Sequence, residues 1–89
     1  MLFESGKKIV SPAINDNVTK DVVRLLFNRH LTGDWGDIPE LDKRRNEEAV
    51  LNGGRIFSGY FTGHGKICVV TDENRRTTRI MFADEYTSR

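Results

Sequence analysis

His30, Asp34, Asp37 and Asp42 are the one concentration of imidazole and carboxylate side chains in the chain, at the end of an apolar-periodic segment and through the turn after it. Brought together, such groups would suit metal ligation or general-base work. Their spacing matches no metal-binding pattern, and carboxylates beside glycine commonly serve turns and helix caps. His30 is therefore expected near a helix C-terminus, where the partial negative charge favours an imidazolium. Asp37 is expected to cap the helix that follows. No metal and no cofactor is implied.

Trp35, the only tryptophan, stands between Gly33 and Gly36 in the same turn, and two readings of it are open. It folds back as an apolar lid on the core, or it projects as an anchor for a partner, since Trp, Tyr and Arg dominate binding hot spots. A second cluster, Arg75, Arg76 and Arg79 with Thr77 and Thr78, offers charge and hydroxyls to phosphate. Lys7 and Lys8 could lie near it, and Tyr60, pointing outward, could stack on a base; Phe57 and Phe61 share a strand face and read as core. Asp72, Glu73, Asp84 and Glu85 in the same stretch favour a different account, an edge of mixed charge that discourages sheet aggregation.

Other chemistries are disfavoured. One cysteine supports neither an internal disulfide nor a thiolate zinc site; Cys68 lies in the run Ile67-Cys68-Val69-Val70 and reads as a small buried hydrophobe. Gly53-Gly54 and Gly63-x-Gly65 lack the strand before and helix after that a phosphate-cradling loop requires. A net charge of +1, from 14 basic and 13 acidic residues, is neither the excess of a dedicated nucleic-acid binder nor that of an acidic mimic. No stretch resembles a signal peptide or the roughly 20 apolar residues of a membrane span. A cytoplasmic location without membrane partners is expected.

The elements that must position these residues are legible. Eighty-nine residues, 37% of them hydrophobic and 30% charged, fit one globular domain with one core, residues 1–7 and 87–89 expected to fray. A short edge strand is expected around Lys8 to Val10. Val18, Val22, Leu25, Leu26 and Arg29 recur at intervals of three and four and predict an amphipathic helix over 16–31, capped from Asn15, Asp16 or Asn17 and ended at Gly33. A second helix starts after Asp37, with Pro39 in its first turn, and stops at Gly53-Gly54. Its thin stripe of Ile38, Leu41, Ala49 and Leu51 places it on the outside. Residues 55–62, 66–71 and 77–82 are β-branched or aromatic runs separated by tight turns, and so predict an antiparallel meander. The expected fold is α+β, in the order β-α-α-β-β-β, with a mostly antiparallel sheet of three or four strands covered on one face by two helices.

The blocks His30-Leu31-x-Gly33-Asp34-Trp35-Gly36-Asp37, Asp42 and Asn46, Arg55-Ile56-x-Ser58-x-Tyr60, Thr71-Asp72-x-x-Arg75-x-Thr77-Thr78 and Glu85-Tyr86 resemble a group of small bacterial proteins carried on plasmids, phages and integrative elements. The resemblance runs over about residues 22–86, with HLTGDWGD its specific part. It implies a setting: an accessory factor that binds a host or element-encoded protein, one version being an inhibitor of a restriction or CRISPR complex. The expected function is accordingly a protein-binding module and not an enzyme. Trp35 would be its anchor, Asp34, Asp37 and Asp42 its acidic groups, and Arg44 and Arg45 a rim that steers association. The alternative is nucleic-acid binding through the sheet and the Arg75 to Arg79 edge. A homodimer is a further way for the thinly apolar second helix to complete its burial.

Overall fold

In the computed structural model, which describes residues 1–86, the chain forms an α+β fold. Its elements are β1 (Lys7–Val10), α1 (Pro12–Asn17), α2 (Lys20–Leu31), α3 (Glu40–Asn52), β2 (Ile56–Thr62), β3 (Gly65–Thr71) and β4 (Thr77–Phe82), closed by one 3-10 turn, Ala83–Glu85. The three predicted strands are present to within a residue. The predicted helix over 16–31 is two helices. Ser11 opens the first, its Oγ accepting from the Ile14 amide at 3.2 Å, with Pro12 following where a missing N–H costs nothing. Val18 then turns extended (φ −123°, ψ 136°), and Thr19 Oγ1 accepts from the Val22 amide to start α2. Asn15, Asp16 and Asn17 therefore lie inside or at the end of α1 and do not cap the longer helix.

α3 starts later than Asp37. Pro39 occupies its N-cap without a side-chain bond, and Asp37 turns to the sheet instead. At the other end the helix is held by a residue from a different turn: the Arg75 guanidinium donates to the Ala49 carbonyl at 2.8 Å and to the Gly54 carbonyl at 2.6 Å. Arg75 reaches this position from a left-handed backbone (φ 61°), an uncommon conformation for a side chain with a Cβ.

The strand order is β1-β4-β3-β2. β2, β3 and β4 form the expected antiparallel meander, whereas β1 lies parallel to β4, with Lys7 beside Thr77 and Val10 beside Ile80. Strand alternation puts Ile56, Ser58, Tyr60, Ile67, Val69, Thr71, Thr78 and Ile80 on one face, and all are buried. Ile14, Val18, Leu26 and Phe27 cover its β3–β4 part; Trp35, Ile38 and Ala49 cover its Ile56 end. The other face carries Phe57, Phe61, Cys68, Val70, Arg79 and Met81. Tyr86 lies against it, with its ring 5.2 Å from that of Phe57.

Two sequence expectations are corrected by this register. Tyr60 is 1% exposed on the helix-covered face, and Phe61 is 70% exposed on the other. The N-terminal arm, expected to fray, is docked: the Leu2 amide donates to the Leu31 carbonyl, Thr78 Oγ1 donates to the Ser5 carbonyl, and Phe3 packs on His30 and Trp35. Residues 87–89 lie outside the described residues.

Candidate functional site

The turn carrying Asp34, Trp35 and Asp37 is built into the edge of the sheet. Gly36 pairs with Gly59 as an isolated bridge, in which the Asp37 amide donates to the Gly59 carbonyl at 2.6 Å and the Gly59 amide donates to the Trp35 carbonyl at 3.2 Å. The approach is close enough that a Cβ on Gly36 (φ +77°) would run into the Gly59 oxygen and the Tyr60 ring. Asp37 Oδ2 takes the Phe61 amide at 2.9 Å. Two turns along α3, Asn46 takes both sides of Phe57, accepting from its amide and donating to its carbonyl. The outward amides of Phe57, Gly59 and Phe61 are thus all occupied, and β2 is sealed against pairing with another chain.

Trp35 is 4% exposed, its Nε1 donating to Glu47 Oε2 at 3.0 Å. Of its two readings the structure places it in the lid, and the anchor role is replaced by a core one. Asp34 is exposed but engaged: Arg29 donates to it through Nε at 2.7 Å and through Nη2 at 3.3 Å. This contact holds the Asp34 carboxyl below its ordinary range and Arg29 above its own. The Arg29 guanidinium also stands 4.6 Å from the centre of the Tyr60 ring. Tyr60 itself donates to the Asp34 carbonyl, and burial pushes its phenol up to about 12.

The six residues read as one recognition surface are separated. Asp34, Trp35 and Arg44 border one shallow polar depression with Lys43 and Glu47. Asp42 and Arg45, an i,i+3 pair at 3.8 Å, border another with Arg55 and Tyr86. Asp37 belongs to neither.

His30 is not the charged helix end expected. It is fully buried beneath Phe3 and Trp35, whose rings lie 5.3 Å and 6.0 Å away. Its Nδ1 contacts Ser58 Oγ at 2.5 Å and its Nε2 contacts Thr71 Oγ1 at 2.9 Å. Thr71 Oγ1 in turn contacts Thr78 Oγ1 at 2.7 Å, and Thr78 donates to the Ser5 carbonyl. A carbonyl only accepts, so the direction follows back as far as the ring: Thr78 gives its proton to Ser5 and accepts from Thr71, and Thr71 accepts from Nε2–H. Desolvation lowers the imidazole to about 4, so near neutral pH the ring is neutral and Nδ1 accepts from Ser58. Sequence reasoning missed this network because its members come from four elements, and only the register of the sheet sets Ser58, Thr71 and Thr78 in neighbouring strands.

The arginine cluster divides. Arg75 is turned inward onto α3, with Phe3 packed 5.7 Å from its guanidinium carbon. Thr77 Oγ1 donates to Asp72. Asp72 is raised by desolvation, but the bonds from Thr77 and from the Thr77 and Arg76 amides outweigh it and hold the carboxyl low. Arg76 and Arg79 remain exposed. Tyr60, buried on the opposite face, drops out of that grouping.

The edge opposite β2 is different. A parallel ladder turns the peptide groups of alternate residues outward. With the Lys7 and Ser11 amides bonded to Arg76 and Ile80, those of Lys8 and Val10 face away from β4. No strand pairs with them among the described residues. Beside them runs a groove of about 360 Å³ between β1 and α2, floored by Val10, Val18, Val23 and Phe27.

No protein family, curated protein or solved structure matches the chain. Among the described residues, no helix is long and apolar enough to cross a membrane, and no group of three or more His, Cys, Asp or Glu is placed to hold a metal ion.

Proposed function

We propose that this protein is a small accessory factor that acts by binding another protein and not by catalysis. The observation that carries the reading is the inequality of the two sheet edges. β2 is closed by Asn46, Trp35 and Asp37, while β1 presents peptide groups that no strand pairs among the described residues, next to an apolar groove. An open edge invites strand pairing, and folds ordinarily block such edges unless they are used. The recognition surface moves accordingly, from the Trp35 turn to the β1 side. The resemblance to proteins of plasmids, phages and integrative elements supplies the setting, in which inhibition of a host defence complex is a role for such a module. Affinity capture of the tagged protein from a lysate of its own cells, with and without nuclease, tests this. A stoichiometric protein partner that survives nuclease is expected; recovery of no protein would overturn it.

One observation favours a second reading, binding of nucleic acid on the face away from the helices. Lys7, Arg55 and Arg79 are exposed, and Phe61 stands 70% exposed with Lys66 Nζ 5.1 Å from its ring centre. Cations interleaved with an open aromatic suit a single strand. This reading predicts capture that vanishes with nuclease and an affinity that falls steeply with salt.

A further inference from the structure

The β1 edge and its groove carry the partner question further, on the reading that the protein binds another protein. The peptide groups of Lys8 and Val10 supply two donors and two acceptors along the edge. Both side chains line the groove as well, so whatever pairs with the backbone also lies over the apolar floor. The rim is of one sign. Lys8, Lys20 and Arg24 border the groove without any carboxylate among its lining residues. Lys8 leans over the floor with its ammonium 5.8 Å from the centre of the Phe27 ring. Of the acidic side chains nearby, Glu85 accepts from Ser11 just past the end of β1 at 3.1 Å, and Asp21 holds Arg24 at 3.2 Å, with both side chains of that pair largely in solvent. Such an exposed pair is readily exchanged.

We infer that the β1 edge takes an extended acidic segment of a partner protein as an added strand, with aliphatic side chains of its groove-facing side entering the groove and carboxylates flanking them on that same side meeting Lys8, Lys20 and Arg24. Main-chain bonds then supply affinity, and the alternation of side chains supplies selection. β1 is four residues long, so the segment recognised is short. A second copy of this chain is a poor occupant. Its own β1 would add Lys7 and Lys8 to an edge whose rim already carries Lys8, Lys20 and Arg24, and crowding like charges there is destabilising. The groove is an edge site, separate from the depressions beside Trp35 and Tyr86.

The test uses the full chain labelled with 15N and two probes of about ten residues, one whose same-face positions run glutamate, valine, valine, glutamate with threonine between them, and one with lysine in place of each glutamate. Amide spectra report where each probe lands. The acidic probe is expected to shift and protect the Lys8 and Val10 amides and to bind at least about tenfold more tightly than the basic probe at low salt. Val10→Pro removes one outward N–H and no β1–β4 bond, and is expected to abolish binding while the remaining amides keep their folded positions. Lys8→Glu is expected to weaken the acidic probe by about tenfold and to improve the basic one. Equal binding of both probes, or acidic binding that leaves the Lys8 and Val10 amides unmoved, overturns the inference. So does an oligonucleotide that protects those two amides as well as the acidic peptide does. A lysate partner kept by folded Val10→Pro protein would overturn the edge site while leaving the protein-binding reading intact; loss of every protein partner from the wild-type chain would overturn both.

Discussion

Acid should loosen this fold through one residue, and the window is set by His30. The buried imidazole is neutral and titrates at about 4 instead of 6.5, so between those values the unfolded chain binds a proton that the folded one excludes. Stability is therefore fully present above about pH 6.5 and falls as the pH is lowered towards 4. At about 1.4 kcal/mol per pH unit, roughly 3 kcal/mol of folding free energy is at stake across the window. The carboxylates with displaced values act lower: Asp34 and Asp72 lie below the ordinary 3.8, so their share is lost only after that of His30. Urea unfolding followed by circular dichroism, repeated at pH steps from about 7 to 4, measures the slope.

The informative variant is His30→Gln. Glutamine keeps one acceptor for Ser58 and one donor for Thr71 but does not titrate. It is expected to cost about 1–2 kcal/mol near pH 7 and to flatten the profile down to about pH 4. A wild-type curve as flat as that of the variant, or one that rises on acidification, would refute the neutral, proton-excluding network.

Three further outcomes are expected. Trp35→Ala should destabilise by roughly 3–5 kcal/mol, read by urea midpoint, because it empties the cluster with Ile38, Ala49 and Ile56; a stable, fully folded variant would return Trp35 to the surface. Asn46→Ala should cost about 1–3 kcal/mol and raise self-association in light scattering, since it uncovers the Phe57 amide and carbonyl on β2; an unchanged monomer with unchanged stability would contradict the sealing role. Arg75→Ala should lower stability by about 1–3 kcal/mol and loosen the end of α3, seen as faster amide exchange at Gly53, whose N–H bonds the Ala49 carbonyl that Arg75 also holds. Salt-sensitive loss of oligonucleotide binding without loss of stability would instead make Arg75 a phosphate contact.

The meander was legible because the turns 63–65 and 72–75 and the β-branched runs between them act locally. The parallel docking of β1 was not, since it depends on partners at the far end of the chain. The break between α1 and α2 had a signal that was misassigned. Ser11-Pro12 and Thr19 are each an ordinary helix start, but the polar triplet Asn15–Asn17 drew the cap to itself. At the candidate site, residue types were visible and their directions were not. Whether Tyr60 or Phe61 faces the helices turns on a one-residue parity, which only the pairing of Tyr60 with Ile67 decides. Trp35 was open between two roles for a related reason, since its fate rests on Glu47 and Gly59, neither of which is near it in the chain.

The parallel pairing of β1 with β4 also bears on how the protein comes into being. A chain made from its N-terminus completes β1 first and β4 last of the sheet's strands, so the earliest strand must wait, solvated, until nearly everything else has been synthesised. The three later strands can zip up between near neighbours, whereas the first joins by closing a loop that spans most of the molecule, the slow kind of contact in folding. Its outer edge is therefore the last surface the protein acquires, and a nascent chain offers a partner nothing there to grip until β4 has arrived.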